Sequence, residues 1–332
     1  MRLLKWLCLG AALWMTYWSV AAWGLRTGLE QWFEEQRRQG WQAEYAELTT
    51  AGFPGQHVTR LQHPVLADPG TGAAWSADWA EFASPALWPG AQTLRFSDSP
   101  QRLSYFDQTL TLMARNMQAE MQLSPGLALE LEHLALSGTD WQVATADDPV
   151  LEATSLTLVM QQQSRADRYT LTARAEGFTP GPTYRRLLAA SDQLPQSFET
   201  LGLLAEVTFD TAWDRRAIEL RRPQPRQISL TLAEAQWGDL SLKATGDLTV
   251  DEAGSLSGIL ALQAQNWRSV LDMAERSSLL PPSLRSGLEQ VLAVFAGRAG
   301  QPEKLDITLT FDTGQMWVGP LPLGPAPRLI LR

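Results

Sequence analysis

The sequence predicts a mainly β protein: a long, curved antiparallel sheet with helical insertions, set behind one N-terminal transmembrane helix. Three observations predict this class. Past residue 50, apolar side chains alternate in short segments, which places every second side chain on one face of a strand. The segments follow one another without the strand-helix-strand rhythm of a parallel α/β scaffold. Finally, twenty uncharged residues, Trp6 to Leu25, separate Lys5 from Arg26 at the amino terminus.

That first run reads as a span. At about 1.5 Å rise per residue it measures roughly 30 Å, the thickness of a bilayer's hydrocarbon core. It holds four tryptophans, one tyrosine and no proline. Arg2 and Lys5 precede it, an arrangement that keeps the N-terminus cytoplasmic and faces the rest of the chain outward. Residues 1–25 are therefore expected to form an anchor, with membrane contact through residues 6–25. Val20 and Ala22 also suit the small-residue positions of a cleavage site before Trp23, so a signal sequence removed over residues 1–22 is the alternative. Cys8, the single cysteine, rules out an intramolecular disulfide, and the preceding Lys5, Trp6 and Leu7 fit a lipoprotein signal poorly.

From 26 to 48 a helical stalk is expected, since Leu29, Trp32, Phe33 and Gln36 fall on one helical face. Glu30, Glu34, Glu35, Arg37 and Arg38 allow ion pairs at helical spacing on a solvated face, and Gly40 suits a helix end. The body, residues 49–332, then alternates. Leu127, Leu129 and Leu131 share one parity, as do Leu156, Leu158 and Met160, then Tyr169, Leu171 and Ala173, then Ile228, Leu230 and Leu232. Leu240, Leu242 and Ala244 follow, and later Leu305, Ile307, Leu309 and Phe311. The clearest hairpin joins Leu248 and Val250 to Leu256 through Asp251, Glu252, Ala253 and Gly254, with Gly254 supplying the positive φ of a tight turn. Brief polar turns make successive strands antiparallel neighbours in a long meander.

Two helical insertions interrupt the strands. The first covers residues 182–195, with Tyr184, Leu187 and Leu188 on a face and prolines at both ends. The second covers 266–297 and is divided at Pro281 and Pro282. Leu284, Leu288, Val291, Leu292 and Phe295 form its amphipathic stripe, which either packs on the sheet or lids an apolar groove.

Local motifs for chemistry are missing. His57 and His63 stand six apart, which matches neither common close-ligand spacing for zinc, and His133 is remote from both. Gly254 to Gly258 reads G-S-L-S-G, with Leu256 where a nucleophile elbow needs serine. Asp147 and Asp148 sit before Pro149 in a loop, where solvation would keep their pKa values together. With 36 acidic residues against 27 basic ones and a net charge of -9, nucleic acid is a disfavoured partner. Trp75, Trp79, Trp88, Trp141, Trp213, Trp237, Trp267 and Trp317 are scattered through the body. Core and edge packing, each indole N–H with a partner, accounts for them; a groove for apolar ligands uses the same residue types.

Several segments carry a resemblance. Gly52, Phe53 and Pro54 follow the N-terminal helix, and Trp75 and Ala77 follow a D-P-x-T-G turn at Asp68 to Gly72. Trp237 and Gly238 open W-G-D-L-S-L-K-A-T-G, Asn266 and Trp267 start the helical insertion, and Gly314 to Pro327 reads G-Q-M-W-V-G-P-L-P-L-G-P-A-P. In order and spacing these resemble the bacterial envelope family catalogued as domain of unknown function 2125, over nearly the whole chain after the anchor. The resemblance implies distant similarity to AsmA-like proteins, whose long curved antiparallel sheets are associated with lipid handling, and it carries over no catalytic residue.

Together these readings describe a single-pass protein of the bacterial inner membrane, N-terminus cytoplasmic and body in the periplasm, with no cofactor, metal or catalytic residue. Its expected role is non-catalytic binding or transfer of a lipid-like apolar ligand, in a groove lined by Leu242, Leu260, Leu262, Leu288, Leu292 and Phe295. The alternative is an envelope scaffold that holds a protein partner through sheet edges or the helix at 282–296. Parity alone leaves open which sheet face is apolar, because a one-residue shift inverts the choice.

Overall fold

The computed structural model describes residues 2–88, 90–126, 128–187, 194–219, 221–276, 282–298 and 302–331. One long antiparallel sheet of twenty strands dominates it. The chain divides into two compact units, residues 1–125 with 136–147, and residues 126–135 with 148–332.

The first unit opens with helix α1 (Arg2–Arg38), 37 residues without a break. Ion pairs Arg26–Glu30 at 2.9 Å, Arg37–Glu34 at 2.6 Å and Arg38–Glu35 at 2.6 Å line its solvated side. Gly40, at φ 92°, ends it, so the helix expected to reach residue 48 stops ten residues earlier, and Gln42–Glu44 and Glu47–Ala51 are strands instead. The membrane span expected over residues 6–25 is not shown by the structure. No helix among the described residues is both long and apolar enough to cross a membrane. Tryptophan, tyrosine, serine and threonine dilute the apolarity of residues 6–25, and within the run only Trp14, Trp18, Ala21 and Ala22 are drawn in from full exposure.

That sheet is a meander of kinked strands. β1 (Gln42–Glu44) and β2 (Glu47–Ala51) are two halves of one strand; β3 (Gln56–Gln62) with β4 (Val65–Asp68), β5 (Ala73–Ser76) with β6 (Trp79–Pro85), and β7 (Ala91–Phe96) with β8 (Gln101–Tyr105) repeat the pattern before the long β9 (Gln108–Leu123) and β10 (Leu131–Ala144). β1 pairs β4 and β2 pairs β3 in one continuous register, Glu44 opposite Val65 and Glu47 opposite Gln62. The kinks line up from strand to strand: the Ala46 amide donates to the Gln62 carbonyl and the His63 amide to the Asp78 carbonyl, each at 2.8 Å. His63 lies at φ 48° and Asn116 of β9 at φ 50°, where the Asn116 amide is held by the Asp98 carboxylate at 2.9 Å. Short polar side chains that bond locally tolerate this left-handed geometry. The core of the unit joins Leu29 and Phe33 of α1 to Ala43, Leu48, Leu61 and Phe82 of the sheet.

The second unit continues the meander. Its elements are β11 (Pro149–Gln162), β12 (Arg168–Glu176), β13 (Thr179–Pro180), α2 (Pro182–Leu187), β14 (Thr200–Phe209), α3 (Arg216–Glu219), β15 (Pro225–Trp237), β16 (Leu240–Val250), β17 (Leu256–Gln265), α4 (Trp267–Arg276), α5 (Pro282–Arg298), β18 (Lys304–Asp312), β19 (Gln315–Val318) and β20 (Leu321–Pro325). Each long strand pairs antiparallel with its neighbour in sequence. The β16–β17 hairpin turns where the sequence places it, with Gly254 at φ 79° and its amide on the Asp251 carbonyl. Two alternations differ from expectation. Leu129 lies at φ 51° outside any strand, Leu127 is outside the described residues, and β10 begins at Leu131. In β15 the register shifts between Leu230 and Ala233, so Leu230 and Leu232 are not regular neighbours of one face. The helix expected over 182–195 is described only to Leu187, and the second insertion is the pair α4 and α5, with Pro281 and Leu188 outside the described residues.

Indole partners are not universal. Trp75 donates to Gln101 at 3.1 Å, Trp237 to the Pro195 carbonyl at 2.8 Å and Trp267 to the Pro302 carbonyl at 3.1 Å. The buried Nε1 atoms of Trp141 and Trp213 have no hydrogen-bond partner among the described residues.

One partly buried carboxylate ties β14 to the approach of β15. Asp210, its side chain 13% exposed, accepts from the Gln224 amide and the Arg221 guanidinium, both at 2.8 Å. Burial alone would raise its carboxyl, but those two donors hold it below the ordinary carboxylate value. A carboxyl depressed on folding stabilises above its unfolded pKa of about 3.9 and loses that contribution as pH falls through the folded value. Asp210→Asn is expected to cost about 1–2 kcal/mol at pH 7, with the gap to the wild type narrowing below about pH 4 in denaturant unfolding.

Candidate functional site

The strands beside α1 carry an unusual alternation. His57, Thr59 and Leu61 of β3 point to the face that α1 covers, so two polar side chains are buried where a simple core would place aliphatic ones. In β6 the cross-strand partners match them, with Ser84 opposite His57 and Phe82 opposite Thr59. His57, Thr59 and Ser84 are each no more than 4% exposed.

Above this floor, Tyr17, Ala21, Gly24, Leu25, Gly28, Leu29 and Trp32 recur at steps of three and four residues, which sets them on one side of α1. Three of the seven are glycine or alanine, and a Cβ added at Gly24 or Gly28 would meet nothing within 4 Å. Because these positions do not fill the space over the sheet, an open groove of about 600 Å³ remains between the helix and the strands, bordered also by Phe82, Ala86 and Gln92. That volume lies within the usual range for small-molecule sites, as does a mainly apolar wall with a few convergent polar groups.

Hydrogen bonds fix the helix over the groove. Trp14 Nε1 donates to the Pro54 carbonyl at 3.2 Å, Trp18 Nε1 to the Gln56 carbonyl at 3.0 Å, and the Tyr17 hydroxyl to the Ala86 carbonyl at 2.8 Å. His57 stacks on Trp18 with ring centroids 5.0 Å apart, and its Nε2 lies 3.3 Å from the Trp18 carbonyl oxygen. Phe53 meets the Trp18 ring edge-on at 5.5 Å. At the site, then, are an apolar wall, a histidine held by an indole, and hydroxyls at the floor; this suits an apolar chain with one polar end.

The residues selected from sequence lie elsewhere, in the second unit. The register sets Leu242 opposite Ala264, and Leu262 between Ala244 and Ile307, so Leu242, Leu260 and Leu262 share one sheet face. Leu288 and Leu292 of α5 are buried with Trp267, Leu271, Leu305 and Ile307, and Leu262 packs against that cluster. Leu260 packs instead against Val250, Leu256 and Phe311. Leu242 is 36% exposed, and the side chain of Phe295 is outside the described residues, as is that of Leu284. The other residues weighed for chemistry are also spread out: His133 Nδ1 is 2.8 Å from Gln161 Oε1, His63 is exposed at a strand kink, and Asp148 accepts from the Thr183 hydroxyl at 2.9 Å.

Sequence reasoning missed the groove beneath α1 because it assigned residues 6–25 to lipid. A signal was present: Ala21, Gly24 and Gly28 at steps of three and four, followed downstream by a strand with His57 and Thr59 at alternate positions.

Against known families, residues 18–327 match the family described as "Uncharacterized protein conserved in bacteria (DUF2125)". The chain belongs to that family. The matched stretch takes in every lining residue of the groove except Tyr17. No match is found among curated proteins.

Proposed function

We propose that this DUF2125 protein binds a lipid-like apolar molecule in the groove under α1, as a carrier or acceptor in the bacterial envelope, and performs no covalent chemistry on it. The observation that carries this reading is the 600 Å³ space between Gly24, Gly28 and the strands, apolar on its walls and polar at His57, Thr59 and Ser84. Apolar contact, at roughly 25 cal/mol per Å² removed from water, supplies the affinity. The polar floor meets the one hydrogen-bonding end of the ligand and so sets its direction. The lipid association of AsmA-like proteins is in keeping with this role, as a likeness and no more.

The test is native mass spectrometry of the full-length protein released from mild detergent, with solvent extraction of whatever it carries. A phospholipid or fatty acid held at about one per chain is expected. A protein partner recovered in fixed ratio, with no lipid on the chain, would favour the scaffold reading and sink this one.

A further inference from the structure

The geometry points to a second lipid contact, separate from the groove: residues 3–13 of α1 together with Phe53, Leu87 and Trp88 form a seat for an anionic lipid surface, which the helix enters without crossing. Every residue from Leu3 to Leu13 is exposed, with Leu3 77%, Trp6 72% and Leu13 64% accessible. The arm is apolar on all sides, apart from Lys5. A helix of that composition needs surroundings as apolar as itself.

Two loop tips stand beside the base of the arm. Phe53 touches Trp18, Pro54 accepts from Trp14, and Ala86 both accepts from Tyr17 and donates its amide to the Gly55 carbonyl at 3.0 Å. The two loops are thus clasped to each other and to the turn of α1 at Trp14–Trp18. Phe53 is 48% exposed, and Leu87 and Trp88, directly after Ala86, are 73% and 50% exposed. Three separate chain segments therefore present large apolar or aromatic side chains around one turn of helix. Tryptophan and tyrosine at such a level are typical of the lipid–water boundary.

Charge selects the occupant. Through residue 25 the chain holds Arg2 and Lys5 and no acidic residue, whereas the whole chain carries -9. A positive tip on an acidic protein suits anionic headgroups. A second copy of the chain fits less well, because helix pairing uses one narrow apolar stripe rather than a helix apolar all round. Crossing also fits less well, because Trp14, Tyr17 and Trp18 are hydrogen-bonded to the loops beside the strands.

Cys8 is exposed, lies in the middle of the arm and is the only thiol of the chain. Full-length protein is mixed with vesicles of phosphatidylethanolamine and phosphatidylglycerol, or of phosphatidylcholine alone, and the rate of Cys8 modification by a membrane-impermeant maleimide is followed. Phosphatidylglycerol vesicles are expected to slow the reaction about tenfold, phosphatidylcholine less, and the double variant Leu87→Glu, Trp88→Glu is expected to weaken vesicle flotation about tenfold with unchanged thermal unfolding. An unchanged Cys8 rate with both vesicles overturns the seat. Protection in the absence of vesicles, with a doubled mass in solution, assigns the arm to self-association instead. Loss of N-terminal amine labelling by an impermeant acylating reagent would mean that the helix crosses. None of these outcomes depends on a ligand in the groove.

Discussion

Gly28→Leu is expected to strip the groove of its ligand while the folded protein becomes no less stable. Gly28 lies inside α1, where glycine is unfavourable by about 1 kcal/mol against a good helix former such as leucine. A Cβ there meets nothing within 4 Å, so the backbone need not shift to accept a side chain. The leucine then occupies the space above Thr59 and Phe82 that an acyl chain would use. Displacing apolar contact worth about 1.5–3 kcal/mol lowers affinity roughly tenfold to a hundredfold. Lipid stoichiometry in native mass spectra reports the loss, and the thermal midpoint reports the stability. Gly24→Leu, one helical turn away, is expected to act in the same direction. If both variants keep lipid at the wild-type ratio, the ligand sits elsewhere.

Trp267→Ala is expected to be the most damaging substitution in the second unit. The indole is 1% exposed at the first turn of α4, surrounded by Ala264, Leu271, Leu288, Leu292 and Leu305. Its Nε1 donates to the Pro302 carbonyl at 3.1 Å, and the Arg268 guanidinium lies 4.5 Å from the ring centre. Truncation leaves a cavity between both helices and the sheet and removes one of the two donors to the Pro302 carbonyl, Arg268 remaining as the other, at about 3–5 kcal/mol. For a unit of this size the thermal midpoint is expected to fall about 10 °C. Trp267→Phe, which keeps much of the volume and loses the donor, is expected to recover more than half of that drop.

Particular residues show how much was readable in advance. Leu240, Leu242 and Ala244 and the run Leu305 to Phe311 do form strands, and their neighbours in sequence are their neighbours in the sheet. Alternation is enough there, since a strand between short turns has few other partners to choose. Leu129 misled because three leucines at steps of two also fit an irregular turn, and φ 51° at Leu129 is invisible to periodicity. Helical spacing puts Leu29 and Phe33 on one face, and the structure sets that face against Ala43, Leu48 and Leu61 of the first strands. Of the leucines expected to wall a groove, Leu288 and Leu292 are interior residues of a helix-on-sheet core and Leu262 packs against it.

The order of residues was sufficient for the β meander, the hairpin at Asp251–Gly254, the long N-terminal helix and the family, because each depends on side chains only a few positions apart or on overall spacing. What covers each face of α1 was out of reach. Trp14 meets Pro54 across 40 positions and Tyr17 meets Ala86 across 69, contacts that no local pattern encodes. The uncharged run from Trp6 to Leu25 suits lipid and suits a sheet equally well, since both surroundings exclude water. Along the helix, the tertiary structure draws Trp14, Trp18, Ala21 and Ala22 toward the strands beside a groove that Gly24 and Gly28 leave open, and leaves Leu3 to Leu13 exposed.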